Sequence, residues 1–115
     1  MAGNQRWSWP GRMNRLVAIL RPYRLAQTRK ALGACSGIAL ITAQEVRGYG
    51  MQKDHLESYS GDDAGMDFLP KIRLEVLVEE DHVEEVVNTV MREGRTGRIG
   101  DGKIFLIAGI DSGRV

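Results

Sequence analysis

The sequence predicts an α+β domain in which two β-α-β units share one antiparallel sheet. Three observations predict it. Ile72, Leu74, Val76 and Val78 recur at period two, while Lys71, Arg73, Glu75 and Leu77 fall between them; this alternation marks a strand with two different faces. Val83, Val86, Val87, Val90 and Met91 recur at i, i+3, i+4, i+7 and i+8, the stripe of an amphipathic helix. Arg95-Thr96-Gly97-Arg98-Ile99-Gly100-Asp101-Gly102-Lys103-Ile104-Phe105 then joins that helix to another apolar run through a basic, glycine-rich loop.

The elements follow in order. Residues 1–12 carry Trp7, Trp9, Pro10 and Gly11 without any period. They read as an appendage, a frayed terminus or a misassigned leader before Met13, outside a domain spanning 13–115. Residues 14–21 form a β-type run closed by Pro22. Residues 23–35 favour a helix whose stripe is Leu25, Thr28, Leu32 and Cys35, with Gly33 and Gly37 at its end. Residues 38–47 read as a second strand. Residues 48–66 are polar and aperiodic, and a loop of that length in a small domain is usually functional. Residues 68–78 give the third strand. Asp81 and Glu84 are spaced as an N-terminal capping box for the next helix, and Gly94 stops it. Lys103–Ala108 is the last strand. The order β-α-β-loop-β-α-β is the ferredoxin-like split β-α-β (βαββαβ) pattern. Both helices should cover one sheet face, leaving Val17, Ile19 and Leu77 on a face that needs a partner.

Bulk properties narrow the function. The 115 residues fit one domain. Sixteen basic residues balance fifteen acidic ones, which argues against a nucleic-acid binder. No apolar run approaches the ~20 residues of a membrane helix, and the first twelve residues lack the apolar core of a secretory signal. Cys35 is the single cysteine; it fits a small buried hydrophobe in a reducing cytoplasm. His55 and His82 have no ligand partners at metal spacing, and His82 reads as a solvated first-turn residue.

The glycine-rich loop carries the chemistry. Gly97, Gly100 and Gly102 allow backbone N–H groups to converge, and Lys103 adds a cation beside them. Convergent donors plus a cation suit a phosphate chain. The same residues also serve ordinary tight turns, so the loop alone is weak evidence of a site.

Four segments together resemble the PII signal-transduction family: Met13 to Leu25 with Arg21-Pro22-Tyr23, Glu45-Val46-Arg47-Gly48-Tyr49-Gly50-Met51-Gln52-Lys53, Asp67-Phe68-Leu69-Pro70-Lys71 with Ile72 to Glu75, and Arg95 to Phe105. The resemblance covers about 13–108, with an apparent extra residue near Ala34–Ser36. It implies a non-enzymatic homotrimer with nucleotide sites in clefts between subunits. It also implies ATP/ADP competition, 2-oxoglutarate bound beside Mg-ATP, and a T-loop, residues 49–66, that docks on target proteins in nitrogen metabolism.

The resemblance implies roles residue by residue. Gly100, Asp101, Gly102 and Lys103 match the phosphate cradle, with Gly48 and Gly50 on the other wall at the T-loop base. Ile19, Thr42 and Glu75 match the adenosine-holding positions; otherwise Ile19 is plain core and Glu75 a solvated carboxylate. Gln52 matches the side chain that contacts both Mg²⁺ and 2-oxoglutarate, and an amide oxygen is a reasonable ligand for Mg²⁺. Lys71 matches the lysine that pairs with the distal carboxylate of 2-oxoglutarate; otherwise it is a surface charge. Arg114 aligns with the first of two arginines that close over the phosphates.

The departures are specific. Met51 stands where the family has a phosphate-reaching arginine. Ala64 occupies the position uridylylated in many relatives and has no hydroxyl to modify. Asp62 falls at the serine phosphorylated in others, and Ser60 replaces the arginine that relatives insert into an ammonium channel. Val115 ends the sequence before the family's second arginine. These departures support a second reading, a PII-like regulator of adenine nucleotide (ADP or AMP) with another small anion such as bicarbonate. A ferredoxin-like enzyme or metal-handling trimer would need catalytic or ligand residues not evident here, and a vestigial interaction domain would bind no nucleotide.

Overall fold

Arg12–Leu20 forms β1 and takes an interior place in the sheet. The chain is described from a computed structural model covering residues 12–48, 69–98 and 102–111. The other strands are β2 (Ile38–Gly48), β3 (Leu69–Glu79) and β4 (Lys103–Asp111). Their order is β2-β3-β1-β4, and every neighbouring pair is antiparallel. The helices are α1 (Leu25–Leu32) and α2 (Val83–Gly94). This is the α+β, split β-α-β order expected from the sequence.

Register explains the two faces. Leu16 lies opposite Val76 and Leu106, and Ala18 lies opposite Leu74 and Ile104. Opposed residues share a face, so the period-two apolar residues of β1 and β3 meet under the helices. Leu16, Ala18, Leu20, Leu32, Leu74, Val76, Val78, Val86 and Val90 make the core. Each fully buried leucine or valine contributes about 1.5–3 kcal/mol before entropy is charged against it.

Both helices bury a threonine. Thr28 donates to the Arg24 carbonyl at 2.7 Å, and Thr89 donates to the Glu85 carbonyl at 2.8 Å. These i−4 bonds satisfy hydroxyls that would otherwise be costly to bury. The Cys35 sulfur lies 3.4 Å from the Thr89 hydroxyl and joins the end of the α1 turn to α2.

Three expectations need correction. The first helix is shorter than 23–35: Pro22–Arg24 forms a 3-10 turn, and α1 ends at Leu32 with Gly33 as its C-cap. The Asp81–Glu84 box does not form. Glu80–His82 is a 3-10 turn, so the cap position falls on His82, which makes no side-chain capping bond. Glu80, Asp81, Glu84 and Glu85 still place negative charge at the positive end of α2. His82 is not simply solvated either. Its ring packs against Gly37, and its Nδ1 lies 3.8 Å from Glu85.

Candidate functional site

The site residues begin with the face that the helices leave open. Thr42, Glu75, Val17 and Phe105 form one row across the four strands. Gln44, Arg73, Ile19 and Lys103 form the next. Thr42 thus lies directly opposite Glu75, and Ile19 directly opposite Lys103. Ile19 is half-buried on this face and stands outside the core cluster.

Glu75 is held by two cations. Arg15 Nε lies 3.3 Å and Arg73 Nη2 3.5 Å from its Oε2. Its side chain is 22% exposed, so it is not the freely solvated carboxylate of the bland reading. Sequence reasoning missed Arg15 as its partner. The alternation of β3 does put Arg73 beside Glu75, but the Arg15 contact depends on the β1–β3 register.

A second group gathers where β1 and β2 end and β3 and β4 begin. Gly48 pairs with Leu69 at that end, and Ile19 pairs with Lys103. β2 therefore ends, and β3 and β4 begin, at one end of the sheet. Lys71 is only 2% exposed there, which corrects its reading as a surface charge. Gly48 makes room for it: a Cβ at Gly48 would lie 3.2 Å from Lys71 Cγ. Lys71 lines a polar cleft of about 370 Å³ with Pro22, Glu45, Val46, Arg47, Pro70 and Ile72.

The basic loop begins with a turn. The Arg98 N–H donates to Thr96 Oγ1 at 3.2 Å, and Gly97 has φ +87°, a conformation costly for other residues. Gly102 then re-enters the sheet against the β1 backbone, leaving no space for a side chain. A cavity of about 360 Å³ lies beneath, between the end of α2 and the start of β4. Its strand residues Ala18, Leu20 and Ile104 belong to the helix-covered face, so the sheet separates it from Ile19, Thr42 and Glu75.

Arg47, Lys71, Arg95, Arg98 and Lys103 gather at this end, with Glu45 among them. Glu79, Glu80, Asp81, Glu84 and Glu85 gather at the other, where β3 passes into α2. Such asymmetry favours the approach of anions to the loop end. Among the described residues no group of three His, Cys, Asp or Glu side chains is arranged to hold a metal. No described helix is long and apolar enough to cross a membrane. Gly50, Gln52, Gly100, Asp101 and Arg114 lie outside the described residues, as do Met51, Ser60, Asp62 and Ala64.

Comparison with known proteins agrees with this arrangement. The family profile described as "Nitrogen regulatory protein P-II" matches residues 13–115. The chain is 45% identical over 94 residues to nitrogen regulatory protein P-II 1 of Escherichia coli K12, covering 82% of this chain and 83% of the relative. It is 42% identical over 94 residues, with the same coverage, to nitrogen regulatory protein P-II of Pasteurella multocida. Among solved structures, Arabidopsis thaliana PII bound to citrate superposes with TM-score 0.62 and 36% identity, covering 84% of this chain and 77% of that one. The protein is thus a ferredoxin-like signal-transduction regulator rather than an enzyme. The chain belongs to the nitrogen regulatory protein P-II family.

Proposed function

We propose that the chain senses an adenine nucleotide, ATP or ADP, together with 2-oxoglutarate, and reports both through its T-loop to proteins of nitrogen metabolism. In this reading Gly100, Asp101, Gly102 and Lys103 cradle phosphate, with Arg114 closing over it and Gly48 and Gly50 forming the opposite wall. Ile19, Thr42 and Glu75 hold the adenosine. Gln52 offers its amide oxygen to Mg²⁺ and to 2-oxoglutarate, and Lys71 pairs with the distal carboxylate.

The observation that carries the reading is the burial of Lys71 beside a polar cleft at the loop end. Lys71 brings a cation to that cleft, and a dicarboxylate carries the complementary charge. The citrate-bound relative supports carboxylate chemistry within the family. One relationship suits a nucleotide: Lys103, the cation of the loop, lies directly opposite Ile19. Bound Mg²⁺ would supply charge neutralisation between phosphate and carboxylate oxygens.

The ligands act only through unequal affinity for alternative T-loop shapes. The assembly is a cytoplasmic homotrimer, supported by a partly apolar open face on which Leu40, Phe105 and Ile107 are 48%, 52% and 42% exposed. The second reading, adenine nucleotide with bicarbonate, is favoured by the departures at Ser60, Ala64 and above all Met51. A thioether there forfeits a charged hydrogen bond of about 1.5–3 kcal/mol.

Competition titration tests the nucleotide half. ATP and ADP should displace one fluorescent adenine nucleotide from the same site, and Lys103→Ala should weaken both. No displacement by either would defeat the reading.

A further inference from the structure

Glu75 is anchored through one oxygen only. The Arg15 Nε contact at 3.3 Å and the Arg73 Nη2 contact at 3.5 Å both fall on Oε2. Oε1 makes no hydrogen bond or ion pair among the described residues. The two cations are not equivalent. Arg73 is two residues from Glu75 on the same strand, so its contact is local. Arg15 reaches across from β1, where it lies opposite Leu77, one diagonal step from Glu75. The Arg15 Nε atom is buried and makes no hydrogen bond, so this ion pair is what compensates its burial. The surroundings of Glu75 on the open face are largely apolar. Val17 and Phe105 share its row, and Leu77 stands in the next. Such walls suit a flat purine base better than a ribose, and the hydrogen-bonding edge of adenine offers a single amino group, at C6. A carboxylate oxygen only accepts hydrogen bonds, so it is suited to reading that donor.

We infer that Arg15 is a positioning residue for base recognition: by fixing Glu75 Oε2 it presents Oε1 as the acceptor for the 6-amino group of a bound adenine. Ordering one flexible side chain at the moment of binding costs about twofold to tenfold in affinity. The cross-strand ion pair moves that cost from binding to folding. The inference rests on the nucleotide reading of the site, in which Glu75 faces the adenosine.

The test is titration of the full chain with Mg-ATP and with the magnesium complex of purine riboside triphosphate, which lacks only the 6-amino group. Wild type should prefer ATP by about tenfold or more, the scale of one charge-assisted hydrogen bond. Arg15→Met keeps the apolar stem and removes the charge, and the preference should shrink about fivefold or more. Arg15→Lys should hold the preference within about twofold of wild type, because the contact is a single point rather than a bidentate fork. Arg15→Gln carries the same test if the methionine variant does not fold. A charge-removing variant that weakens both nucleotides in equal proportion marks a merely structural role and overturns the inference. Wild-type protein that binds the two nucleotides equally also overturns it, while the nucleotide reading stands. Wild-type protein that binds neither overturns the nucleotide reading and the inference with it.

Discussion

Gly102 lies so close to β1 that a Cβ added there would sit 2.8 Å from the carbonyl oxygen of Ile19. The obstacle is backbone, which cannot swing aside as a side-chain tip can. Gly102→Ala should therefore shift the entry of β4 and cost about 1–3 kcal/mol of stability, with nucleotide affinity falling in parallel. Gly97→Ala is the control. It meets nothing within 4 Å and carries only the strain of φ +87°, so it should cost about 1 kcal/mol. Urea denaturation and nucleotide titration of both variants check this; equal costs would contradict it.

Lys71 separates the two ligands. Lys71→Met keeps the apolar stem that packs against Gly48 and removes the charge. It should lose 2-oxoglutarate binding by about tenfold or more while ATP alone binds within about threefold of wild type. Calorimetry of each ligand distinguishes the two. Unchanged 2-oxoglutarate affinity would remove Lys71 from the site.

Phe105 tests the assembly. It is 52% exposed on the open face, in the row of Val17, Glu75 and Thr42. A carboxylate added there, in the row of Glu75, would be buried without a partner in any interface that uses this face. Phe105→Glu should turn a trimer into a monomer by light scattering. A trimer that persists would exclude the open face as its interface.

Glu93 supplies a pH prediction. The side-chain hydrogen bond from Arg92, measuring 2.9 Å from Nε, holds its carboxyl below the ordinary 4.5; desolvation opposes this, and the Arg92 charge, Gln27 and the Arg24 charge assist. Because the folded value is depressed, the stabilisation is present above the ordinary value and is lost as pH falls through the folded one. Arg92→Ala should move the Glu93 titration upward by carbon-13 NMR, and an unmoved curve would mean that Arg92 is not the cause.

The elements were legible because burial imposes period. Leu16, Leu74, Val76 and Val90 are apolar where the core requires it, and both strand and helix periods survive in the sequence. Local stops were harder to read. Asp81 has the chemistry of a cap, but a 3-10 turn moved the helix start by one residue, and the cap position fell on His82. Site geometry depended on register, which sequence spacing leaves open. Nothing near Lys71 in the chain announces its burial, because the space is made by Gly48 on the neighbouring strand. Glu75 likewise gains Arg15 across a pairing between strands sixty residues apart in sequence, seen only as the register Arg15–Leu77 and Val17–Glu75.

The most direct test of the central claim is titration calorimetry of 2-oxoglutarate into the full chain, with and without saturating Mg-ATP. The account predicts measurable binding only with nucleotide present, because Mg²⁺ and the phosphates complete a site that Lys71 begins. Equal binding without nucleotide, or no binding under either condition, would contradict it.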